Sequence, residues 1–285
     1  MTPMVVRRAP AMQLRPYPRA RSGGKARLLI AVVVGLFALV SYFGSSEFNP
    51  VTGEKQYLAL TPNQEIALGL QAAPEMIDTY GGLHPDARAQ AVVDRVGQGV
   101  VARSAAADTD WQFDFHLLRD PETVNAFALP GGQIFITQAL FGRLETEGQL
   151  AGVLGHEVGH VVARHGAQRM AKDRLTQGLI GAVAVGSESV GSAQMAAMIG
   201  QMVNMSYGRD DELQSDALGV RFIAEAGYDP RAMIRVMEIL DEATGGAARG
   251  SDFFSTHPSP ENRIGRIQAA IEATFPDGVP AGLTP

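Results

Sequence analysis

The chain has 285 residues, 46% of them hydrophobic and 19% charged, which suits one large domain or two small ones with a full core and excludes wholesale disorder. It contains no cysteine, which excludes disulfides, thiolate metal sites, iron–sulfur clusters and a cysteine nucleophile. The net charge of −6 speaks against a nucleic-acid binder, but it hides an uneven distribution.

Residues 1–27 carry Arg7, Arg8, Arg15, Arg19, Arg21, Lys25 and Arg27 and no acid, a charge of +7. The rest of the chain holds 17 basic and 30 acidic groups, or −13. Leu28 to Gly44 follows without a charge, and as a helix it would be about 26 Å long, near the short limit for crossing a bilayer core. The basic flank puts the N-terminus in the cytoplasm and everything beyond residue 44 on the far side. An uncleaved signal anchor is the first reading, a secretory signal cleaved near Gly44-Ser45-Ser46 the second, and a buried core helix the third. The one-sided arginines disfavour the last. An arginine-rich, acid-free leader also suits a mitochondrial transit peptide.

Residues 45–60 mix Gly, Pro, Asn and Ser and read as a linker. A domain is expected over 61–274. Thr61 and Pro62 start a helix running to about Tyr80, and a second covers about Pro85 to Ser104 with Ala89, Val92, Val93, Val96 and Val100 on one face. Residues 111–118 alternate as a strand, and Gln133 to Thr137 forms another, entered through Pro130-Gly131-Gly132. From Thr146 the pattern is mainly helical, with no proline before Arg174. Leu175 to Gly186 is apolar but too short to span a bilayer, so it reads as a buried or interfacial helix. Residues 275–285 have the composition of a loose tail. The fold class expected is α+β, mainly helical, with a small β-sheet.

The chemistry centres on His156-Glu157-Val158-Gly159-His160. On a helix, positions i and i+4 share a face, so His156 and His160 can point at one metal ion. Glu157 lies about 100° round from His156 and can reach a water bound to that ion, acting as general base. Gly152, Gly155 and Gly159 weaken the helix by roughly 1 kcal/mol each relative to Ala, which makes sense if another element packs closely there. A third histidine six residues beyond His160 is ruled out, because Gly occupies 166. His165 falls on a different helical face and is a poor ligand for the same ion. Downstream, Glu212 and Asp216 stand at i and i+4, so Glu212 can bind the metal while Asp216 hydrogen-bonds a ligand histidine. This spacing resembles that of thermolysin-like glutamate zincins.

Four segments then occur in a telling order: Asn125 to Thr137 (NAFALPGGQIFIT), Gly155 to His165, Glu212 to Gly219 and Ser255 to Ile264 (STHPSPENRI). Together they resemble the HtpX-like/CAAX-prenyl-protease family of zinc peptidases, in the envelope-facing branch with BepA-like, LoiP-like and OMA-type members. The match covers about Thr61 to Ala273. The resemblance implies a zincin core, one Zn2+ held by His156, His160 and Glu212, Glu157 as base and Asp216 orienting a ligand. It also implies polypeptide substrates, chiefly misfolded or unassembled envelope proteins, in the bacterial periplasm or at the mitochondrial inner membrane. BepA-like members carry tetratricopeptide repeats after the protease; none is expected here, so partners that depend on them are not carried over.

Other residues carry two readings each. Gln133–Thr137, including Ile134, is placed as the edge strand that would pair with an extended substrate. Asn125 stands at the mouth of that segment, as a substrate contact or a turn cap. His257 either stabilises the oxyanion or occupies the fourth metal position as a latency plug, unless it merely precedes the last helix. Arg263 positions that loop or binds the oxyanion, with the structural role favoured. Met195, Met198, Met202 and Met205 form one helical stripe, read as core or as an adaptable cleft wall. His84 and His116 read as structural. Two rival functions stay open, a chaperone-like assembly factor with latent proteolysis and a zinc hydrolase acting on peptidoglycan peptides or lipid-linked substrates.

Overall fold

The computed structural model describes residues 23–186, 190–243, 257 and 262–285, with backbone alone over 190–207. The basic segment before residue 23, residues 244–256 and 258–261 on either side of His257, and the side chains of the methionine stripe lie outside the described residues.

The apolar run forms helix α1 (Gly23–Gly44). The expected linker is instead a hairpin, β1 (Ser46–Asn49) paired antiparallel with β2 (Glu54–Tyr57). Helix α2 (Pro62–Thr79) begins as its sequence predicts: Thr61 caps it, Gln64 completes a capping box, and Pro62 takes the first turn. Helix α3 (Ala87–Ala102), capped by Asp86, buries Val93, Val96 and Val100. The strands β3 (Asp114–Leu118), β4 (Ala126–Ala128) and β5 (Gln133–Thr137) make one sheet in the order β3-β5-β4.

That order corrects the expected edge strand. Gln133–Thr137 is central, parallel to β3 on one side and antiparallel to β4 on the other, and all five of its residues are buried. A strand buried on both faces suits the middle of a sheet, and the edges fall to β3 and β4, of which β4 lines the cleft.

After the short helix α4 (Gln138–Phe141) comes α5 (Glu147–Val162), which carries the H-E-x-x-H residues and starts at the Thr146 cap. It is buried along nearly its whole length and forms the centre of the core. Its glycines are filled from outside. A Cβ at Gly159 would stand 2.8 Å from Ser215 Oγ and 3.0 Å from the Ser215 carbonyl, and one at Gly155 would stand 2.7 Å from Ile223. The neighbour is α7 (Val190–Glu225), and α8 (Ala232–Ala243) covers Gly152 through Met233.

The proline-free run does not continue as one helix. Arg164 adopts a left-handed conformation, φ 57, and α6 (His165–Gly186) sets off in a new direction. Such a backbone costs about 1–2 kcal/mol for a residue with a Cβ. Burial of the Arg164 side chain offsets it: Nε and Nη2 reach Glu65 at 2.8 and 2.6 Å, Nη1 reaches Glu47 at 2.8 Å, and Nη2 donates to the Leu60 carbonyl. The hairpin closes the same helix end, where Asn49 Nδ2 donates to Val162 O and Gln56 Nε2 to Ala163 O, both at 2.8 Å. Carbonyls in the last turn of a helix lack partners within it, which is why this segment is folded rather than slack.

The expected loose tail is tied down for the matching reason. Beyond α9 (Arg263–Thr274), Pro285 O accepts from Gly148 N at the start of α5, and Thr284 exchanges hydrogen bonds with Gly227 and Asp229. Both ends of the central helix are thus satisfied by chain remote in sequence.

Two outcomes follow from this packing. Gly159→Val should lower stability by about 1–3 kcal/mol through overpacking against Ser215, with a matching fall in metal content measured on the same sample. Arg164→Met should cost about 3–5 kcal/mol in urea unfolding by leaving Glu65 buried without its partner, and adding Glu65→Leu should restore most of the loss.

Candidate metal centre and active site

The site is assembled from α5, α7 and His257. His156, His160, Glu212 and His257 each offer a ligand atom, all within 4.8 Å of one another. His156 Nε2 lies 3.0 Å from His160 Nε2, 3.3 Å from Glu212 Oε2 and 3.4 Å from His257 Nδ1. His160 Nε2 is 3.3 Å from Glu212 Oε1, and His257 Nδ1 is 3.1 and 3.2 Å from the two Glu212 oxygens.

The other ring nitrogens explain which lone pairs face inward. His257 Nε2 donates to the Ala126 carbonyl at 3.0 Å, so Nδ1 is the bare nitrogen directed at the cluster. His156 Nδ1 stands 2.9 Å from Asp216 Oδ1, leaving Nε2 for the centre. His160 Nδ1 meets His165 Nδ1 at 2.8 Å. His165 Nε2 in turn donates to Gln214 Oε1 at 2.9 Å, and Gln214 Nε2 donates to Glu54 at 2.8 Å. This chain makes His165 Nδ1 an acceptor and His160 Nδ1 the donor, so His160 Nε2 is bare as well. Three imidazole lone pairs and a carboxylate converge on one buried point, an arrangement that repels itself unless a cation lies among them. The donor set therefore fits a metal ion, with the outer hydrogen bonds that ligand histidines ordinarily carry.

The carboxylates draw positive charge to this point, which either a proton on His156 or a metal ion among the ligands can supply. Burial opposes the charged form of His156 most strongly, yet Asp216 and Glu212 overcome it and hold its pKa up at about 10. Burial likewise opposes ionisation of Glu212, but His257, His160 and His156 hold its carboxyl well below the usual range. Asp216 is kept low against its own burial by Arg263 and His156. Arg263 grips it with two hydrogen bonds, Nε to Oδ2 at 2.7 Å and Nη2 to Oδ1 at 2.9 Å, and approaches Glu212 Oε2 at 3.3 Å.

Glu157 is 1% exposed, neither of its oxygens accepts a hydrogen bond, and burial pushes its carboxyl above the usual range despite His257 and His156. A carboxylate so placed binds a proton more readily than one in water. It lines a cleft of about 330 Å³ together with His160, Glu212, His257 and Phe127–Pro130 at the end of β4 and just after it.

The structure gathers His156, Glu157, His160, Glu212, Asp216, His257 and Arg263 at one place. Asn125 and Ile134 are not among the residues that line the cleft. Asn125 is buried at the head of β4, exchanging hydrogen bonds with Thr137 and donating to Tyr80, and Ile134 is buried on the central strand. His116 bonds Gln133 and stacks on Phe135, and His84 accepts from Asp86 N. His165, excluded as a ligand by its position, is not among the converging ligand atoms; its hydrogen bond to His160, which requires the break at Arg164, was not foreseen. Sequence reasoning also missed Gln214 and Ser215, although both lie inside the E-L-Q-S-D stretch. Ser215 Oγ donates to the His156 carbonyl at 2.5 Å, pinning α7 to α5.

Comparison with known proteins agrees with this geometry. Residues 87–271 match peptidase family M48. The chain is 30% identical to the mitochondrial metalloendopeptidase OMA1 of Schizosaccharomyces pombe over 234 residues, 80% of this chain and 67% of that protein. It is 28% identical to the beta-barrel assembly-enhancing protease of Escherichia coli over 248 residues, 84% of this chain and 50% of that protein. The Arabidopsis thaliana OMA1 is 37% identical over 140 residues, 49% of this chain and 28% of that protein. The chain thus spans about two thirds of the first relative and half of the second. With its H-E-x-x-H helix, its downstream glutamate and these relatives, the chain belongs to peptidase family M48 and is a metallopeptidase of the branch that includes OMA1 and the beta-barrel assembly-enhancing protease.

Proposed function

We propose that the chain is a zinc-dependent endopeptidase that cleaves unfolded or unassembled proteins beside a membrane, those of a bacterial envelope being the first candidates. The observation that carries this reading is the convergence of three oriented imidazoles and Glu212 on one buried point beside Glu157. Nitrogen and carboxylate donors without thiolate, up to four in number, match zinc. The chemistry zinc supplies when bound is Lewis-acid activation of water and of the scissile carbonyl.

The chain's residues do the rest. Glu157 takes the proton of the attacking water and returns it to the leaving amine, helped by the burial that raises its proton affinity. Arg263 and Asp216 hold His156, while His165 and Gln214 hold His160. The open edge of β4 receives the substrate. Thr137 N bonds Asn125 O and Leu129 N bonds Gln133 O, so the alternate residues Ala126 and Ala128 turn their backbone groups away from β5 and toward the cleft. An extended peptide pairing there would pass Glu157 as an added strand. Helix α1 serves as an anchor with its N-terminus in the cytoplasm, or in the mitochondrial matrix if the chain works in that organelle as its OMA1 relatives do.

In the E157Q variant, cleavage of a permanently unfolded protein should fall about 10²–10⁴-fold while zinc stays near one per chain by elemental analysis. Retained cleavage would sink the mechanism.

A second reading, latent proteolysis in an assembly factor, is favoured by His257. Its Nδ1 faces the metal ligands and its Nε2–H occupies the Ala126 carbonyl, so one side chain covers both the fourth metal position and the strand edge. His257→Ala should raise basal turnover several-fold at unchanged zinc content. A loss of turnover would instead assign His257 to the transition state.

A further inference from the structure

Helix α6 does not end at the catalytic domain. Its last charged residues are Lys172, Asp173 and Arg174, and from Leu175 to Gly208 the single charge is Glu188. That stretch covers the second half of α6 and the first half of α7, two helices in contact and joined through three residues. The uncharged part of α6 is about 18 Å long and that of α7 about 28 Å.

Helix α1 packs along this half of α6. A Cβ on Gly178 would lie 2.7 Å from Ala38 Cβ, and one on Gly35 would lie 3.6 Å from Ala182 Cβ. The pairs 38 with 178 and 35 with 182 set the helices antiparallel, with small residues at the seam, as in helix pairs that associate within lipid. On the same half of α6, Leu179, Val183 and Val185 are 38–40% exposed, and the apolar side chains of α1 are exposed around them. Continuing the register brings Lys172–Arg174 level with Tyr42–Gly44. There Tyr42 stacks on Tyr57 at 4.7 Å, Phe43 meets Tyr57 edge-on, and Lys55 lies over the Tyr57 ring. Aromatic rings beside cationic side chains at one level are the signature of a membrane–water interface.

We infer that the second half of α6 and the first half of α7 form a helical hairpin that enters the bilayer beside α1. The membrane surface lies at the level of Tyr42, Tyr57 and Lys172–Arg174. Helices can enter lipid because their backbone groups are satisfied internally. The hairpin gives α1 a partner within the bilayer, so α1 acts as part of the fold rather than as a bare tether. It also fixes the height of the cleft. His165 precedes Leu175 by about 15 Å of helix, and Glu212 follows Gly208 by about 6 Å, so the ligands are held within about 15 Å of the lipid. A cleft at that height takes chain segments that emerge from the membrane or lie against it. This inference rests on the reading of α1 as a membrane helix.

The absence of cysteine makes the test direct, because a single introduced thiol is the sole labelling site. Full-length Val33→Cys, Val183→Cys and Glu272→Cys proteins, each checked for native zinc content, are labelled with an environment-sensitive fluorophore and reconstituted in phosphatidylcholine/phosphatidylglycerol vesicles. Lipids spin-labelled along the acyl chain should quench V183C to an extent comparable with V33C and leave E272C, on α9, unaffected. Quenching of V33C without V183C would overturn the hairpin and leave the anchor standing. Quenching of neither would overturn both. If V183C escapes lipid quenching but is shielded from aqueous iodide, protein rather than lipid covers α6, and the inference fails.

Discussion

Close contact between α5 and α7 is the constraint on which the site depends. The H-E-x-x-H residues lie on one helix and Glu212 on the other, and side-chain atoms 3.3 Å apart come with a close approach of the two backbones. Gly155 and Gly159 leave that space, and Ser215 fills part of it while bonding the carbonyl of His156. Two glycines that weaken α5 as an isolated helix are thus the reason it can hold a metal with its neighbour. Local helix propensity yields to tertiary fit at the place where function needs it.

A second layer of groups decides where each lone pair points. Arg263 holds Asp216, which faces His156; Glu54 holds Gln214, which orients His165 and through it His160; and the Ala126 carbonyl orients His257. These contacts tie the site to the hairpin, the last helix and the sheet edge. Parts of the chain far from H-E-x-x-H in sequence therefore bear on the reactivity of its histidines. The buried Arg164–Glu65 pair belongs to the same scheme, since it stabilises the left-handed turn that returns His165 to His160.

The same turn sets the direction of α6 and so links the site to the part of the molecule we infer to face the membrane. His165 begins α6 inside the site, and the helix ends beside α1. One helix thus joins the surroundings of His160 to the contact with α1.

Much of this was legible in the sequence. The spacing of His156, Glu157 and His160 needs only a helix, and Glu212 with Asp216 follows from the same periodicity. Thr61 announces a helix start because a cap acts through bonds to the next few residues, and Asp86 and Thr146 cap α3 and α5 in the same way. What the sequence could not decide depends on long-range partners. Residues 45–60 and 275–285 read as linker and tail because their local composition is that of loops, yet they fold by supplying bonds to the two ends of α5. The edge strand was misplaced because periodicity shows that β5 is a strand but not what lies on either side of it. That His165 supports His160 rather than binding beside it depends on the break at Arg164, which a local reading of helical faces does not show. The sequence by itself determined the ligand types, their helical spacing and the charge asymmetry about an apolar helix, all of which rest on local periodicity and chemistry. The tertiary structure decided which imidazole nitrogens face the metal, which strand lies open and how α1 meets α6, because each depends on groups brought together from distant parts of the chain.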